Sequence, residues 1–591
     1  MMKKVKPNSI LKISLLIIIT TSPFSAGGAK AGNRASNLTQ TSNDSISKKV
    51  DELFSEVDTS DSPGAALAVI KNGDVIYQRG YGMANLEDGI QITPSTIFHV
   101  GSMSKQFTAM AIQMLGQEGR LSLDDDVRKF LPELHDFGKT ITVRHLLNHT
   151  SGLREQLQLL FMTGWRLEDV VTEEDLLRLI WRQRELNFAP GAEYLYSNTN
   201  YTLLALLVER ASGKPLARYT EEKIFGPLGM KNTRFRDDYR TVTKNLALSY
   251  VPTSQGVKHM FISGSYVGSS GLMTTVEDLA WWDQNFYSRQ VGGSEVIERM
   301  LTRGRLNDGQ EINYASGLNV GQYRGLKTVE HSGEDAGYEA DFLQFPDQRF
   351  SVIVLSNSGA FDAVDTARRV AELYLADEIR TAQSTPVKPP TAPVRTEISL
   401  APRELEAFVG DYKLSFGIPL KLSMESGRLA AQVREQPRQT LAALSSIEFA
   451  TKDASIHIRF LPPEEGKYLR LKIDLNNQQL DGERIERLSL SSSMAQAYVG
   501  TYYSEELGAL YSISYKNGQL MLWHRRGEEP LLIKHENQFA TGFSAEARRW
   551  RGGEYARIKF LRARRSRITG FLLSMPTAWN VRFFKSDTVR I

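Results

Sequence analysis

The 591-residue sequence contains no cysteine. That absence excludes a disulfide framework, a thiolate zinc site, an iron–sulfur cluster and a cysteine nucleophile. The net charge is also small. A formal value of +4 over this length does not indicate a nucleic-acid-binding surface. Hydrophobic residues make up 41% and charged residues 24%, as in an ordinary globular protein. The chemistry must therefore rest on side chains other than thiols.

Long apolar runs are scarce too, and the one at the N-terminus is short. Residues 1–31 contain several lysines, then the apolar run Leu15–Ile19, then small residues. This order is typical of a secretory signal peptide, with a cleavage site at Ala29-Lys30-Ala31. The apolar core of about a dozen residues is shorter than the roughly 20 that span a bilayer, which disfavours the alternative of a membrane anchor. We therefore predict a periplasmic or secreted protein with cleavage near Ala31 and no stable membrane span.

The sequence changes character near residue 400. Thr385–Pro402 holds five prolines, and proline-rich segments act as semi-rigid spacers between domains. Beyond it, Phe408-Val409-Gly410-Asp411-Tyr412 recurs as Tyr498-Val499-Gly500-Thr501-Tyr502, which indicates two homologous all-β modules. The predicted division is a signal peptide (1–31), a flexible lead-in (32–46), a large catalytic domain (47–380), a linker (381–402) and two β-domains (403–490 and 491–591).

Strand patterns flank a long helical stretch within the large domain. Asn72-Gly73 is a hairpin signal between two apolar runs, and residues 101–300 are mostly helical in pattern, with Thr274 and Thr275 as candidate helix caps. The predicted strands are Ala65–Ile70, Val75–Tyr77, Phe342–Phe345 and Phe350–Leu355. The fold class predicted from these patterns is α/β, with strands that bracket a helical insert.

The strongest local signal for chemistry is Ser102-Met103-Ser104-Lys105 at the start of a predicted helix. Residues three apart share a helix face, so the Ser102 hydroxyl and the Lys105 amine can meet. A serine hydroxyl becomes a good nucleophile at neutral pH when a neighbouring base takes its proton. Alone, the pattern is weak, because a capped surface helix has the same sequence.

Two further motifs are weak on their own. Tyr196-Ser197-Asn198 precedes a helical run, and a tyrosine near a lysine is partly phenolate because the cation favours the charged form. His331-Ser332-Gly333 follows a strand-like segment, and glycine there lets a substrate lie close to an edge strand. The alternatives are a packed loop tyrosine with a capping asparagine, and a plain strand end with a turn glycine.

Together the three motifs resemble the serine β-lactamase and penicillin-binding-protein family, in its class C branch. The resemblance runs in order over roughly residues 47–380. It includes Pro63-Gly64-Ala65-Ala66, Gly80-Tyr81-Gly82, Leu121-Ser122-Leu123-Asp124-Asp125, His149-Thr150-Ser151-Gly152-Leu153 and Gly271-Leu272-Met273-Thr274-Thr275. It implies a DD-peptidase-like antiparallel sheet with a helical insert. The doubled module resembles the two β-barrel domains of D-aminopeptidase-like relatives.

The resemblance also implies roles for individual residues. Ser102 would be acylated, and Lys105 and Tyr196 would share general-base and general-acid duty. Asn198, His331 and Gly333 would line the substrate site, and the backbone N–H groups of Ser102 and Glu334 would form the oxyanion hole. Such donors commonly lower a barrier by about 3–4 kcal/mol each. No cofactor and no metal is implied.

One departure from the family is informative. Class C β-lactamases and many carboxypeptidases have lysine where this chain has His331, and histidine is mostly neutral at pH 7. Losing a cation about 4 Å from a carboxylate forfeits up to about 4 kcal/mol at an effective dielectric of 20. Esterase-like and D-aminopeptidase-like relatives resemble this chain in having histidine. We therefore expect weak β-lactamase activity at most.

These observations predict an exported serine hydrolase that forms an acyl-enzyme on amide or ester substrates. The favoured substrates are D-amino-acid peptides or small esters, and peptides derived from peptidoglycan are among the candidates. We expect no nucleic-acid partner. The alternatives are a β-lactamase or D-Ala-D-Ala carboxypeptidase, and a non-catalytic protein that binds penicillin or the cell wall. His145 and His149 have a spacing that can ligate zinc, but no third ligand is evident, so a structural role is favoured. The oligomeric state stays open.

Overall fold

A six-stranded antiparallel sheet lies at the centre of the N-terminal part of the chain. The structure is a computed structural model. It describes residues 45–586 apart from 167–168, 254, 262, 385–397, 415–418, 434–437, 453–454, 463–469, 476–477, 485–489, 536–537, 542–555 and 564–566. Residues 45–49 are helical and belong to a separate unit, and all that follows concerns residues 50–586.

Strands from both ends of the large domain build this central sheet. In spatial order they are Asn319–Tyr323, Leu326–Asp335, Tyr338–Phe345, Phe350–Ser356, Ala65–Lys71 and Asp74–Tyr81. The predicted hairpin is confirmed, since Asn72 and Gly73 both have positive φ (54° and 95°) as a type I′ turn requires. The sequence between the second and third strands along the chain forms the predicted insert.

Helices fill most of the insert and cover the sheet. The α-helices are Lys105–Gln117, Val143–Leu147, Gln156–Thr163, Glu173–Arg182, Asn198–Ser212, Leu216–Thr220, Gly226–Leu228, Val276–Ser288, Gly293–Leu301, Ala363–Tyr374 and Ala376–Ser384. Shorter turns are the 3-10 helices Gly101–Ser104, Val127–Lys129 and Pro346–Gln348 and the π-helical turn Glu221–Phe225. Of the two candidate caps, Thr275 accepts from Asp278 N, whereas the Thr274 hydroxyl lies 2.7 Å from that of Thr233.

Short strands interrupt the insert more often than the sequence predicts. They form the pairs Met83–Asn85 with Ile90–Gln91, Val171–Thr172 with Gly264–Ser265, and Tyr250–Thr253 with Gly256–His259, and the triplet Phe98–His99, Leu272–Thr274 and Arg234–Phe235. Each of these strands has only two to four residues, too few for an alternating pattern to stand out. The triplet matters for the region around Ser102, because its strand Phe98–His99 leads directly into the turn that contains this serine.

Two nine-stranded sheets follow, each introduced by a short helix, Pro402–Glu406 or Ser492–Gln496. The first has the order Gln439–Thr440, Arg428–Val433, Pro419–Glu425, Gly410–Leu414, Gln478–Arg484, Arg470–Leu475, Ile456–Phe460, Glu448–Ala450 and Ala442–Ala443. The second has the order Gly527–Pro530, Gln519–His524, Ala509–Lys516, Gly500–Ser504, Ala578–Ser586, Ile568–Met575, Ala556–Arg562, Gln538–Thr541 and Leu532–His535. In each sheet one residue joins the two outermost strands, so the sheet curls into a nearly closed barrel.

The internal repeat predicted from the sequence is confirmed in detail. The Tyr412 hydroxyl donates to the Phe408 carbonyl at 2.9 Å, and the Tyr502 hydroxyl donates to the Tyr498 carbonyl at 2.7 Å. Both tyrosines are buried, each within the core of its own barrel. The repeated aromatic residues therefore fix the same helix-to-strand corner in both barrels.

The two barrels differ in what they pack against. The core of the first contains residues of that barrel only. The core of the second also includes Leu159, Met162 and Leu176 from the helices Gln156–Thr163 and Glu173–Arg182. The second barrel therefore shares a hydrophobic core with the helical insert.

The predicted fold class is confirmed: a mixed α/β domain is followed by two antiparallel barrel-like sheets. The signal peptide, nearly all of the lead-in and residues 385–397 of the linker lie outside the described residues. The domain limits stay a prediction. Among the described residues, no helix is long and apolar enough to cross a membrane.

Candidate active site

Ser102 and Lys105 face each other at the start of a buried helix. Ser102 lies in the 3-10 turn Gly101–Ser104, which continues directly into the helix Lys105–Gln117. The Lys105 side chain is fully buried, and its Nζ donates a hydrogen bond to Ser102 Oγ at 3.0 Å. The three-residue spacing thus produces the predicted contact, and the alternative of a capped surface helix is wrong.

Two further acceptors hold the Lys105 amine. Nζ donates to Asn198 Oδ1 at 2.8 Å and to the Ser269 carbonyl at 2.6 Å. Asn198 is the first residue of the helix Asn198–Ser212, so its side chain projects from a fixed backbone. Asn198 and Ser269 both offer oxygen acceptors, and the bonds to them hold the amine in place beside the Ser102 hydroxyl.

Tyr196 and His149 form an aromatic wall beside the lysine. Lys105 Nζ lies 4.9 Å from the centroid of the Tyr196 ring, and the His149 and Tyr196 rings are 4.3 Å apart. His149 Nδ1 accepts from the Ser197 backbone N–H at 3.1 Å. Burial, followed by the charge of Lys105, holds the pKa of His149 well below its usual value, so the imidazole is neutral.

This arrangement gives His149 a structural role, as expected, but one at the centre of the site. The other histidine of the pair, His145, accepts from the Thr142 backbone N–H through Nδ1, within the cap of the helix Val143–Leu147. Both side chains therefore have local partners. Within the described part of the chain, no group of three or more metal-ligating side chains is found.

The strand Leu326–Asp335 passes directly beside the Ser102 turn. A Cβ atom added to Gly333 would lie 2.0 Å from the Val100 carbonyl oxygen, and one added to Gly101 would lie 2.8 Å from Glu334 N. Gly333 is therefore needed for close packing of strand against turn, whereas the sequence suggested that it makes room for substrate. The same contact brings the Glu334 backbone next to Ser102.

The His331–Asp335 half of this strand has an open side. The neighbouring strand Asn319–Tyr323 pairs only as far as Glu330, while Tyr338–Phe345 pairs along the other side through Asp335. The sequence predicted an edge strand, and the structure limits the edge to this half. An extended substrate can add to such an exposed backbone.

His331 is a buried neutral histidine. Its Nδ1 lies 2.7 Å from the Ser332 carbonyl, which can only accept, so Nδ1 carries the hydrogen. Nε2 then accepts from the Tyr314 hydroxyl at 3.0 Å. Burial, followed by the charge of Lys105, lowers the pKa of His331 to about 3. Both the hydrogen bonds and the lowered pKa agree with the expectation of a neutral group at this position.

Comparison with known proteins agrees with this geometry. The family model described as Beta-lactamase matches residues 50–375, which is more than half of the chain. The chain belongs to the beta-lactamase family. It is a serine β-lactamase-fold hydrolase related to D-aminopeptidases.

Individual relatives of this beta-lactamase-family chain differ in how much they cover. Penicillin-binding protein 4* of Bacillus subtilis is 27% identical over 435 residues, which are 71% of this chain and 94% of that protein. A D-aminopeptidase of Brucella anthropi is 29% identical over 318 residues, which are 52% of this chain and 59% of that protein. The octameric penicillin-binding protein homologue of Pyrococcus abyssi is 24% identical with a TM-score of 0.50, and the match covers 83% of this chain and 99% of that one.

Three members of this beta-lactamase-family site were missed by sequence reasoning. Ser269 contributes a backbone carbonyl, which has no side-chain signature. Tyr314 is a buried partner of His331 from outside any quoted motif. Glu155, only 5% exposed, accepts from Asn198 Nδ2 at 3.0 Å, and burial raises the pKa of its carboxyl. The only signal for Glu155 in the sequence was its position, two residues after the Gly152-Leu153 pair that belongs to the family resemblance.

An apolar pocket adjoins the end of the open strand. Its volume is about 510 Å³, including space open to solvent. Leu157, Phe161, Trp165, Met260 and Tyr266 line it, with Asp335 as an acidic group. Asp335 directly follows Glu334, and Leu157 lies two residues beyond Glu155, so two of the lining residues are close in sequence to residues of the candidate site.

Proposed function

We propose that this chain hydrolyses amides or esters through an acyl-enzyme on Ser102. The observation that carries the proposal is the 3.0 Å hydrogen bond between Lys105 Nζ and Ser102 Oγ in a buried site. Removal of the serine proton by a neighbouring base makes the hydroxyl a competent nucleophile. Binding alone would not require a buried amine beside a hydroxyl, which disfavours the non-catalytic alternative.

In the acylation step, Ser102 Oγ attacks the substrate carbonyl carbon and its proton passes to the Lys105–Tyr196 pair. The tetrahedral oxyanion accepts from the backbone N–H groups of Ser102 and Glu334. Collapse breaks the bond to the amine or alcohol, which leaves with the proton. Water then attacks the Ser102 ester, giving the carboxylic acid and restoring the hydroxyl. Tyr196 is assigned a share of this transfer by the family resemblance, and its ring lies beside the lysine, with its centroid 4.9 Å from Lys105 Nζ.

The favoured substrates are D-amino-acid peptides or amides and small esters. The neutral His331 supports this choice, since it offers no cation to the carboxylate of a β-lactam or a D-Ala-D-Ala terminus. The 29% identity to a D-aminopeptidase supports it too. The apolar pocket suits an acyl group with an apolar side chain, since its walls are mostly aromatic and aliphatic.

A D-Ala-D-Ala carboxypeptidase or weak β-lactamase is the second candidate. Its support is the match to penicillin-binding protein 4*, which extends beyond the catalytic part to 71% of this chain. Export by the N-terminal signal and the division into three domains belong to the proposal as well. Export is supported by the lysine-rich start that is followed by a short apolar run, and the division into domains by the three large sheets, which are separate from one another.

The test exposes purified protein to a fluorophosphonate, a fluorescent penicillin, the chromogenic β-lactam nitrocefin and a short-chain nitrophenyl ester. The matched variants are Ser102→Ala and Ser95→Ala, the latter an exposed serine outside the site. We expect fluorophosphonate labelling and ester turnover in the wild type and in Ser95→Ala, and neither in Ser102→Ala. Absence of serine-dependent labelling would favour the binding protein, and rapid nitrocefin hydrolysis would favour the second candidate.

A further inference from the structure

Arg154 connects the helical insert to the second barrel. Its side chain is 0% exposed, and Nη1 lies 2.7 Å from Glu506 Oε1. Nε of Arg154 donates to the Trp579 carbonyl at 2.8 Å. Glu506 also accepts from the Arg184 backbone N–H at 2.8 Å. A buried guanidinium is tolerated only when its charge and its donors are matched, so these bonds fix the position of Arg154.

Glu155 continues this connection into the site. Its backbone N–H donates to the Thr577 carbonyl, at the turn between the last two strands of the second barrel, at 3.0 Å. Its carboxyl accepts from Asn198 Nδ2 at 3.0 Å. A second hydrogen bond joins the neighbouring residues of the same two segments: the Thr199 hydroxyl donates to the Arg154 carbonyl at 2.7 Å.

The chemistry of the carboxylate sets the orientation of the Asn198 amide. Burial raises the pKa of Glu155, but both of its oxygens act as acceptors, Oε2 from the Gln158 backbone N–H at 2.8 Å and Oε1 from Asn198 Nδ2, and the charge of Lys105 opposes the rise. We therefore take the carboxyl as ionised, and a carboxylate that can only accept draws the NH₂ group of Asn198 towards itself. The opposite end of that amide, Oδ1, must then face Lys105 Nζ, which donates to it at 2.8 Å. A neutral glutamine at position 155 could donate as well as accept, so that only the bond from Lys105 Nζ would then favour this orientation of the amide.

We propose that Glu155 is a positioning residue for Lys105, acting through Asn198, and that the second barrel holds it there through Glu506 and Thr577. The second barrel then affects the reaction by holding a residue that positions the Lys105 amine. This inference rests on the proposed acyl-enzyme, and it adds a function for a domain that the reaction itself does not require.

The first experiment compares Glu155→Gln with Glu174→Gln, an acid on the exposed face of a nearby helix. The measurement is the rate of fluorophosphonate labelling as a function of pH. We expect Glu155→Gln to slow labelling at least tenfold. Loss of the negative charge also disfavours the ammonium form of Lys105, so the acid limb of the profile should move to lower pH by about one unit.

A purely structural role for Glu155 would lower the folded fraction without moving the pH profile. An unmoved acid limb in folded Glu155→Gln protein would therefore overturn the positioning role. If the wild type itself is not labelled, the acyl-enzyme proposal fails instead. The two failures are thus distinguishable.

The second experiment tests the barrel with Glu506→Gln and its exposed neighbour Glu505→Gln as the control. We expect Glu506→Gln to lower kcat for a nitrophenyl ester about tenfold with little change in KM, and Glu505→Gln to match the wild type. In the double variant, Glu506→Gln should cost less than in the wild type, because Glu155→Gln has already broken the connection. Full additivity, or an unchanged kcat in folded Glu506→Gln, would overturn the proposal. Should Glu506→Gln fail to fold, the more conservative Glu506→Asp takes its place in the same comparisons, with the same results expected.

Discussion

The neutral state of His331 leads to a prediction that can be checked on the residue itself. Its Nδ1–H donates to Ser332, its Nε2 accepts from Tyr314, and only 3% of the residue is exposed. The pKa falls from 6.5 to about 3, because burial and then the charge of Lys105 disfavour the imidazolium. This difference corresponds to about 5 kcal/mol between the two protonation states. Even at pH 5, protonation of the folded protein would cost on the order of 3 kcal/mol.

The direction of the effect on stability follows from the same values. The folded pKa lies below the unfolded one, so the unfolded chain binds more protons as the pH falls. His331 therefore leaves stability unaffected above about pH 6.5 and reduces it progressively between about pH 6.5 and 3. His99, whose burial lowers its pKa to about 4, acts in the same direction.

The assay is a nuclear magnetic resonance titration of protein labelled with ¹³C at histidine Cε1. The sequence has nine histidines, so the His331 signal can be assigned as the one lost in His331→Asn. We expect no titration of this signal between pH 5 and 8. In parallel, a carboxylate inhibitor should gain no affinity over its carboxamide analogue between pH 7 and 5. A His331 midpoint above about pH 6 would refute the reasoning about this site.

Three further substitutions test other contacts. Asn198→Ala removes an acceptor of the Lys105 amine, and a hydrogen bond to a charged group is worth about 1.5–3 kcal/mol, so fluorophosphonate labelling should slow about 10- to 100-fold; an unchanged rate would contradict this. Gly333→Ala places a methyl group 2.0 Å from the Val100 carbonyl and should abolish labelling, whereas Gly321→Ala, with its nearest contact at 3.6 Å, should leave it intact. Tyr412→Phe removes one buried hydrogen bond from the first barrel and should destabilise it by about 1 kcal/mol in thermal unfolding without changing turnover.

Local patterns were enough to predict much of the fold. The Asn72-Gly73 turn demands a positive φ at both positions, and the repeated aromatic corners reproduce the same hydrogen bond in both barrels. The contact between Ser102 and Lys105 was also predictable, because three-residue spacing on a helix brings side chains together whatever surrounds them. Such features depend on few neighbours.

Contacts between distant segments were not predictable. Arg154 and Glu506 are 352 residues apart in sequence, and nothing near either of them indicates a buried ion pair. Glu155 acquires its place only because Thr577 and Asn198 meet it from different elements. Gly333 illustrates the same limit. This position requires glycine because a side chain would collide with the Val100 carbonyl, and not because a substrate needs the space.

The most direct test of the proposed mechanism is mass spectrometry of the protein after brief exposure to a D-amino-acid ester with an apolar side chain. We expect the intact mass to rise by that of one acyl group, with the modification on the peptide that contains Ser102 and absent from Ser102→Ala. An adduct on another residue, or ester turnover that persists in Ser102→Ala, would contradict the mechanism.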